Sequence, residues 1–346
     1  MSNKIAKTLA RQKEKIAEGN YYEAHQQLRV ITARYLKSSD FISVADVLSN
    51  GALLLLRAGQ GGSGGDLATT LVTDVYIKAQ WPINAENKSR VIEIVKAFPP
   101  GEPTRKRYIQ ELMNWSTKPE IEGSHAERGD AELHHEIGVV LANEGDAYEA
   151  ERHLLLGQTP QSVSPLVNMH YNWYKEDSPH TAAIYASRSV LSYLILGNLQ
   201  SATTSLATFT SQLISANSSI PTQTIESSKS SVRIFPSLPL LNFLSLLLLA
   251  VQKGDSALFK QLAKHYAAHL KDVQELWGDA LAQIGEVWFG IRIPRQRGNP
   301  LFDMMGSMMF GGGQSQKPSA GASQRSSTPK PAQAKLAEKP VAMDLD

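Results

Sequence analysis

The chain has 346 residues, of which 42% are apolar, and its 35 Lys plus Arg against 33 Asp plus Glu leave a formal charge of +2. That length suits about two domains of ordinary size, and the near-neutral balance gives no whole-molecule reason to expect a nucleic-acid or anionic-membrane partner. The absence of cysteine excludes a disulfide framework, thiolate zinc sites and a cysteine nucleophile, and agrees with a cytosolic location.

The first eighteen residues, MSNKIAKTLARQKEKIAE, mix charged and apolar residues at helical spacing. A secretion signal needs an unbroken apolar stretch, so an amphipathic first helix and no targeting segment are expected. Its cations Lys4, Lys7, Arg11, Lys13 and Lys15 stand against Glu14 and Glu18 and read as solvated surface. Apolar residues then recur at spacings of three and four from Ile5 to Trp288. This predicts helices near 3–18, 20–37, 40–58, 66–80, 86–97, 102–117, 128–144, 146–157, 160–175, 179–196, 198–215, 238–252, 254–271 and 273–290.

One string recurs at helix starts: Gly19-Asn20-Tyr21-Tyr22-Glu23-Ala24, Gly145-Asp146-Ala147-Tyr148-Glu149-Ala150, Gly197-Asn198-Leu199-Gln200-Ser201-Ala202 and Gly254-Asp255-Ser256-Ala257. Gly closes one helix in a left-handed conformation, Asn or Asp caps the next, and a small Ala lets the two approach closely. The four glycines follow no fixed period, which excludes a regular 34-residue repeat. The fold expected is all-α: an irregular tetratricopeptide-like α-solenoid of about 14 helices.

Two stretches interrupt the helical pattern. Gln60-Gly61-Gly62-Ser63-Gly64-Gly65-Asp66 reads as a loop closed by a capping Asp, and 215–237 is rich in Ser and Thr. Within the latter, residues 222–225 and 231–235 have strand composition around a polar 226–230, predicting an inserted β-hairpin. Residues 238–251, LPLLNFLSLLLLAV, are fourteen and include Asn242, short of the roughly 20 that a membrane span needs. A helix buried on nearly all sides is expected there. After Phe310, residues dominated by Ser, Pro, Ala, Gln and Lys form a tail expected to lack a core. The organisation predicted is an N-terminal helical half over 1–150, a C-terminal half over 151–310 carrying the hairpin near 222–235, and a tail over 311–346.

Catalytic chemistry finds little support. The glycine run has no Lys-Ser/Thr after it and no strand before it, so it does not read as a phosphate loop. His265 and His269 stand at i and i+4, a metal-binding spacing, but without an intervening Glu or a third ligand in the sequence they read as ordinary surface histidines. His134 and His135 are adjacent and splay around a helix. No enzyme, no metal and no cofactor is the expectation. Charged faces remain. Asp66 and Asp74 lie eight residues apart, about 800° of helical rotation, which returns them to one face. They suit an acidic contact with a basic partner; the plainer reading is a capping carboxylate and a solvated side chain. His25 and Leu28 lie on a neighbouring amphipathic helix and could add an apolar anchor. In the C-terminal half, Ile225, Val232, Ile234 and Phe235 on the strands, with Leu241, Phe243 and Leu248 on the apolar helix, suit a partner segment laid between hairpin and helix. The plainer reading is that the helix is covered by its own chain.

The strings Gly19-Asn20-Tyr21-Tyr22-Glu23-Ala24-His25-Gln26, Arg34-Tyr35-Leu36-Lys37-Ser38 and Gln60 to Leu67 resemble the Golgi-to-ER traffic protein 4 family. Met113-Asn114-Trp115-Ser116, Leu133-His134, Ile137-Gly138, Tyr148 to His153, Leu156-Gly157, Leu241-Asn242-Phe243-Leu244 and Phe302-Asp303-Met304-Met305 match in the same order. The resemblance implies a non-enzymatic scaffold of the guided-entry pathway for tail-anchored membrane proteins. Its N-terminal half would dock the targeting ATPase through His25, Leu28, Asp66 and Asp74. Its C-terminal half would grip a ubiquitin-like partner under the hairpin, and through it a tetratricopeptide co-chaperone. The family often carries Glu where this chain has Asp74, a shorter reach. The tail after 313 has no assigned counterpart. Two other readings stay open: a helical-repeat subunit of an unrelated cytosolic assembly, and a metal enzyme using His265 and His269.

Overall fold

The computed structural model describes residues 3–227 and 230–291, without the side chains of residues 3, 226, 227 and 230–232. The tail over 311–346 and the Phe302-Asp303-Met304-Met305 string lie outside the described residues. Amphipathic periodicity makes fifteen α-helices of the rest, arranged as an all-α solenoid. The first six are α1 (Asn3–Ala17), α2 (Tyr21–Lys37), α3 (Phe41–Arg57), α4 (Gly61–Thr70), α5 (Ala85–Ala97) and α6 (Pro103–Thr117). There follow α7 (Ala131–Glu144), α8 (Ala147–Gly157), α9 (Pro160–Lys175), α10 (Ala182–Ile195) and α11 (Leu199–Ala216). The strands β1 (Gln223–Ser227) and β2 (Ser230–Ile234) precede α12 (Pro239–Lys253), α13 (Ser256–His265), α14 (Ala267–Asp272) and α15 (Gln274–Phe289).

Successive helices pack on one another, closest at α3 with α4, α7 with α8 and α10 with α11. The recurrent glycines act as the sequence requires: Gly19, Gly145, Gly197 and Gly254 all take left-handed φ, between +63° and +83°. The capping residues after them divide. Asn198 accepts from the Ser201 amide and Asp255 from the Ala257 and Leu258 amides, whereas Asn20 and Asp146 make no side-chain cap bond.

The glycine run is not a loop. Gly61 to Gly65 form the opening of α4, and Asp66 stands inside that helix instead of capping it. Glycine disfavours helix interiors by roughly 1 kcal/mol against Ala, and close packing compensates. A Cβ on Gly64 would lie 2.6 Å from Leu56 Cγ and 3.0 Å from the Leu56 backbone nitrogen; one on Gly65 would lie 2.2 Å from Thr104 Oγ1. The absent side chains let α4 seat directly against α3 and α6. The helix then continues as a π-helical segment, Leu71–Ile77. Its i→i+5 bonding breaks the 100° count used to bring Asp66 and Asp74 to one face. The helix predicted over 254–271 also divides, at Tyr266, into α13 and α14.

Two hydrophobic clusters fill the interior. One runs from Ile5 to Ala150 and the other from Leu154 to Ile284, so α8 contributes to both. The last helix is tied back to α10 by Trp288 Nε1, which donates to the Leu194 carbonyl at 2.8 Å. No helix among the described residues is long and apolar enough to cross a membrane.

Candidate functional site

Two surfaces carry the side chains singled out by the sequence. On the N-terminal one, α2 lies beside α4, and His25 Nε2 meets Asp66 Oδ2 at 2.9 Å. Arg29 Nε stands 3.8 Å from the same oxygen. Asp66 is nearly half exposed, at 45% of its side-chain surface, and thus presents a carboxylate already flanked by two donors. Asp74 does not join it and forms an ion pair with Lys78 one turn further on. Leu28 is fully buried: its Cδ1 would lie 2.9 Å from a Cβ on Gly51, so it locks α2 onto α3 and offers no surface. This corrects its expected role as an apolar anchor in the chain as it stands. Tyr22, 76% exposed, and Arg29 lie three residues before and four after His25, and the sequence reading passed over both. The helical spacing that selected His25 also reaches them.

The C-terminal surface is built around the hairpin. β1 and β2 pair antiparallel with Gln223 opposite Ile234 and Ile225 opposite Val232, so the expected hairpin forms, with the pairing carried to Ser227 opposite Ser230, into the stretch 226–230 predicted to separate the strands. Ile225 is 60% exposed, Ile234 is half-buried, and the side chain of Val232 lies outside the described residues. Phe235 is not on the strand. It follows β2, is fully buried, and is held by a reciprocal amide clasp. Its backbone N–H donates to Asn242 Oδ1 at 2.8 Å, and Asn242 Nδ2 donates to its carbonyl at 2.9 Å. Asn242, a buried amide in an apolar helix, therefore fastens the hairpin to α12. A buried Asn needs such partners, and this was the available signal.

Leu241 and Phe243 also face inward. Phe243 stacks on Trp277 with ring centroids 6.0 Å apart and meets Tyr266 edge-on at 5.6 Å. Like Phe235, they are core in the free chain, which corrects their expected place on a partner-facing surface. Leu248 is different: although largely buried, it lines a groove of about 290 Å³. α11 contributes Leu206, Ala207 and Thr210, the hairpin contributes Arg233 and Phe235, and α12 contributes Ser245, Leu248, Leu249 and Gln252. A shallower depression continues along α11 past Thr204, Thr208, Ser211 and Ser215, sharing Thr203 and Ala207 with the first. The floor is apolar and the rim carries hydroxyls, an amide and one formal charge, a composition suited to holding a peptide segment.

Between the two surfaces lies a polar seam. His134 Nε2 donates to the Arg128 carbonyl at 2.9 Å, which leaves its Nδ1 as acceptor for the Nδ1–H of His153, also at 2.9 Å. Burial pushes His134 down to about 4 and His153 well below the usual histidine range. On the next layer, Glu151 accepts from His170 Nε2 at 2.9 Å and from Arg188 Nε at 3.0 Å. Burial raises the Glu151 carboxyl, but these two donors more than reverse it, to about 2. His265 and His269 lie exposed on either side of the break at Tyr266, on separate helices, and no cluster of three or more His, Cys, Asp or Glu with metal-binding geometry occurs among the described residues.

Comparison with known proteins is consistent across methods. The sequence profile described as Golgi to ER traffic protein 4 matches residues 38–309. An Aspergillus fumigatus protein of that name is 52% identical over 361 aligned positions, covering all of both chains. The tail after 313, expected to have no counterpart, thus falls within an aligned length. A Schizosaccharomyces pombe protein of the same name is 31% identical, with 86% of this chain and 95% of its own covered. A crystal structure described as C. therm. Get4 superposes with a TM-score of 0.80 at 43% identity, covering 92% of this chain and 100% of that one.

Proposed function

The chain belongs to the Golgi to ER traffic protein 4 family, a family of non-enzymatic helical scaffolds, and from that premise we propose that it is a cytosolic adaptor in the targeting of tail-anchored membrane proteins to the ER. In this reading the N-terminal surface around Tyr22, His25, Arg29 and Asp66 docks the targeting ATPase. The groove under the hairpin holds the N-terminal segment of a ubiquitin-like protein, which in turn recruits a tetratricopeptide co-chaperone with its client.

The observation that carries the reading is the groove itself. A two-stranded hairpin is marginal alone, yet here it is clasped to α12 through Asn242 and Phe235 so that it overhangs an apolar floor. Holding an otherwise unsupported hairpin above an open depression makes sense for a surface that another chain completes.

Co-expression with the ubiquitin-like protein tests this. A stable one-to-one complex is expected, and Ala207→Trp, which fills the groove from an exposed position, should abolish it while helical content stays unchanged. Binding of the ATPase should survive the same substitution. A complex that forms equally well with Ala207→Trp contradicts the reading.

A further inference from the structure

Among the described residues, Arg233 is the one formally charged residue lining the groove. It sits on β2, outside the core, and its Nη1 donates to Ser211 Oγ of α11 at 3.1 Å. That bond directs the guanidinium across the mouth of the groove toward α11. Among the described side chains no carboxylate lies within ion-pair distance of it, unlike Arg57, which pairs with Glu93. A guanidinium presents five donors in a fixed fork, and Ser211 takes one. Beside it, Phe235 and Leu248 supply apolar lining, and a segment filling the groove would displace water from it and strengthen a charge contact made there.

We infer that Arg233 recognises a carboxylate on the segment that fills the groove, so that the occupant is an apolar segment carrying an acidic side chain at the hairpin end. The inference rests on the reading of the groove as the seat of the ubiquitin-like partner's N-terminal segment. A bidentate Arg–carboxylate contact fixes register as well as charge. It would set one orientation for a segment whose apolar side chains alone leave sliding along α11 unopposed.

The experiment measures affinity of the full chain for a synthetic peptide of that N-terminal segment by calorimetry, at low and high salt. Arg233→Glu should weaken binding by about tenfold or more, and Arg233→Lys by less, since a point charge keeps attraction without the fork. Replacing the peptide's acidic residues one at a time by their amides should reveal one position whose loss matches that of Arg233→Ala. Combined with Arg233→Ala, that change should add nothing further. Unchanged affinity for Arg233→Glu, with Ala207→Trp still abolishing binding, overturns the role of Arg233 and leaves the groove standing. Unchanged affinity for Ala207→Trp, or no binding by the native chain, overturns both. The ladder puts Glu226 opposite Ser231, two positions from Arg233. An equal loss in Glu226→Gln would mean that Arg233 serves the hairpin internally, and would also overturn the inference.

Discussion

The N-terminal and C-terminal surfaces differ in how much of their chemistry is already answered within the chain. Around Asp66 the charges are paired: His25 and Arg29 attend the carboxylate, Lys78 attends Asp74, and the leucine beneath is core. Under the hairpin, an apolar floor lies open and, among the described side chains, Arg233 has found only a hydroxyl. The first surface is complete without a partner and offers exposed polar groups to one, so its binding should be salt-sensitive. The second is unfinished, and a partner there buries apolar area that salt does not screen.

The largest expected effect falls on the hairpin anchor. Phe235→Ala removes a fully buried aromatic ring and should destabilise the chain by about 3–5 kcal/mol in denaturant unfolding. It should also loosen the hairpin and lose the ubiquitin-like partner while leaving the ATPase bound. Equal loss of both partners would erase the distinction drawn between the surfaces. The same burial dictates that a hairpin deletion must stop at Ile234.

Acid should act next, at the seam where the two cores meet on α8. His134 and His153 have folded-state pKa values pushed below the unfolded 6.5 by burial, so the unfolded chain binds more protons as pH falls. Each histidine therefore costs stability as pH falls below about 6.5, by up to roughly 1.4 kcal/mol per pH unit, with the His134 contribution ending near 4. Glu151, depressed to about 2, adds a further loss between about 4.5 and 2. His153→Gln should flatten the upper slope in urea unfolding measured across pH, and an unchanged slope would show that the pair does not titrate as described.

Two glycine substitutions sharpen the account of α4. Gly64→Ala forces a methyl onto Leu56, including its backbone, and should destabilise by about 1–3 kcal/mol. Gly62→Ala meets nothing within 4 Å and should be neutral or stabilising by up to about 1 kcal/mol. Thermal unfolding distinguishes them, and similar behaviour at both positions would mean that the glycines do not serve helix contact. Smallest in stability is Asp66→Asn: an exposed pair contributes under about 1 kcal/mol. Its effect should appear in ATPase binding, which loses affinity and salt dependence together.

Local chemistry explains what was legible in the sequence. Left-handed glycines at 19, 145, 197 and 254 and the 3.6-residue periodicity act within a turn or two of the chain, and they located nearly every helix. The run at 61–65 misled because its justification is tertiary: glycine looks like a loop former until Leu56 and Thr104 are seen pressed against it. The π-helical turn after Thr70 likewise has no local signature, and it undid the face assigned to Asp66 and Asp74. Composition marked the hairpin but could not divide its apolar residues between core and surface. That division depends on the Asn242 clasp, which turns Phe235 inward and leaves Leu248 beside the groove.

Hydrogen exchange on the full chain, with and without the ubiquitin-like protein, tests the central claim most directly. The account predicts that added protection concentrates along α11 from 203 to 215, on the hairpin at 223–234 and on α12 from 245 to 252, with α2 and α4 unaffected. Protection confined to α2 and α4, or spread evenly over the solenoid, would contradict it.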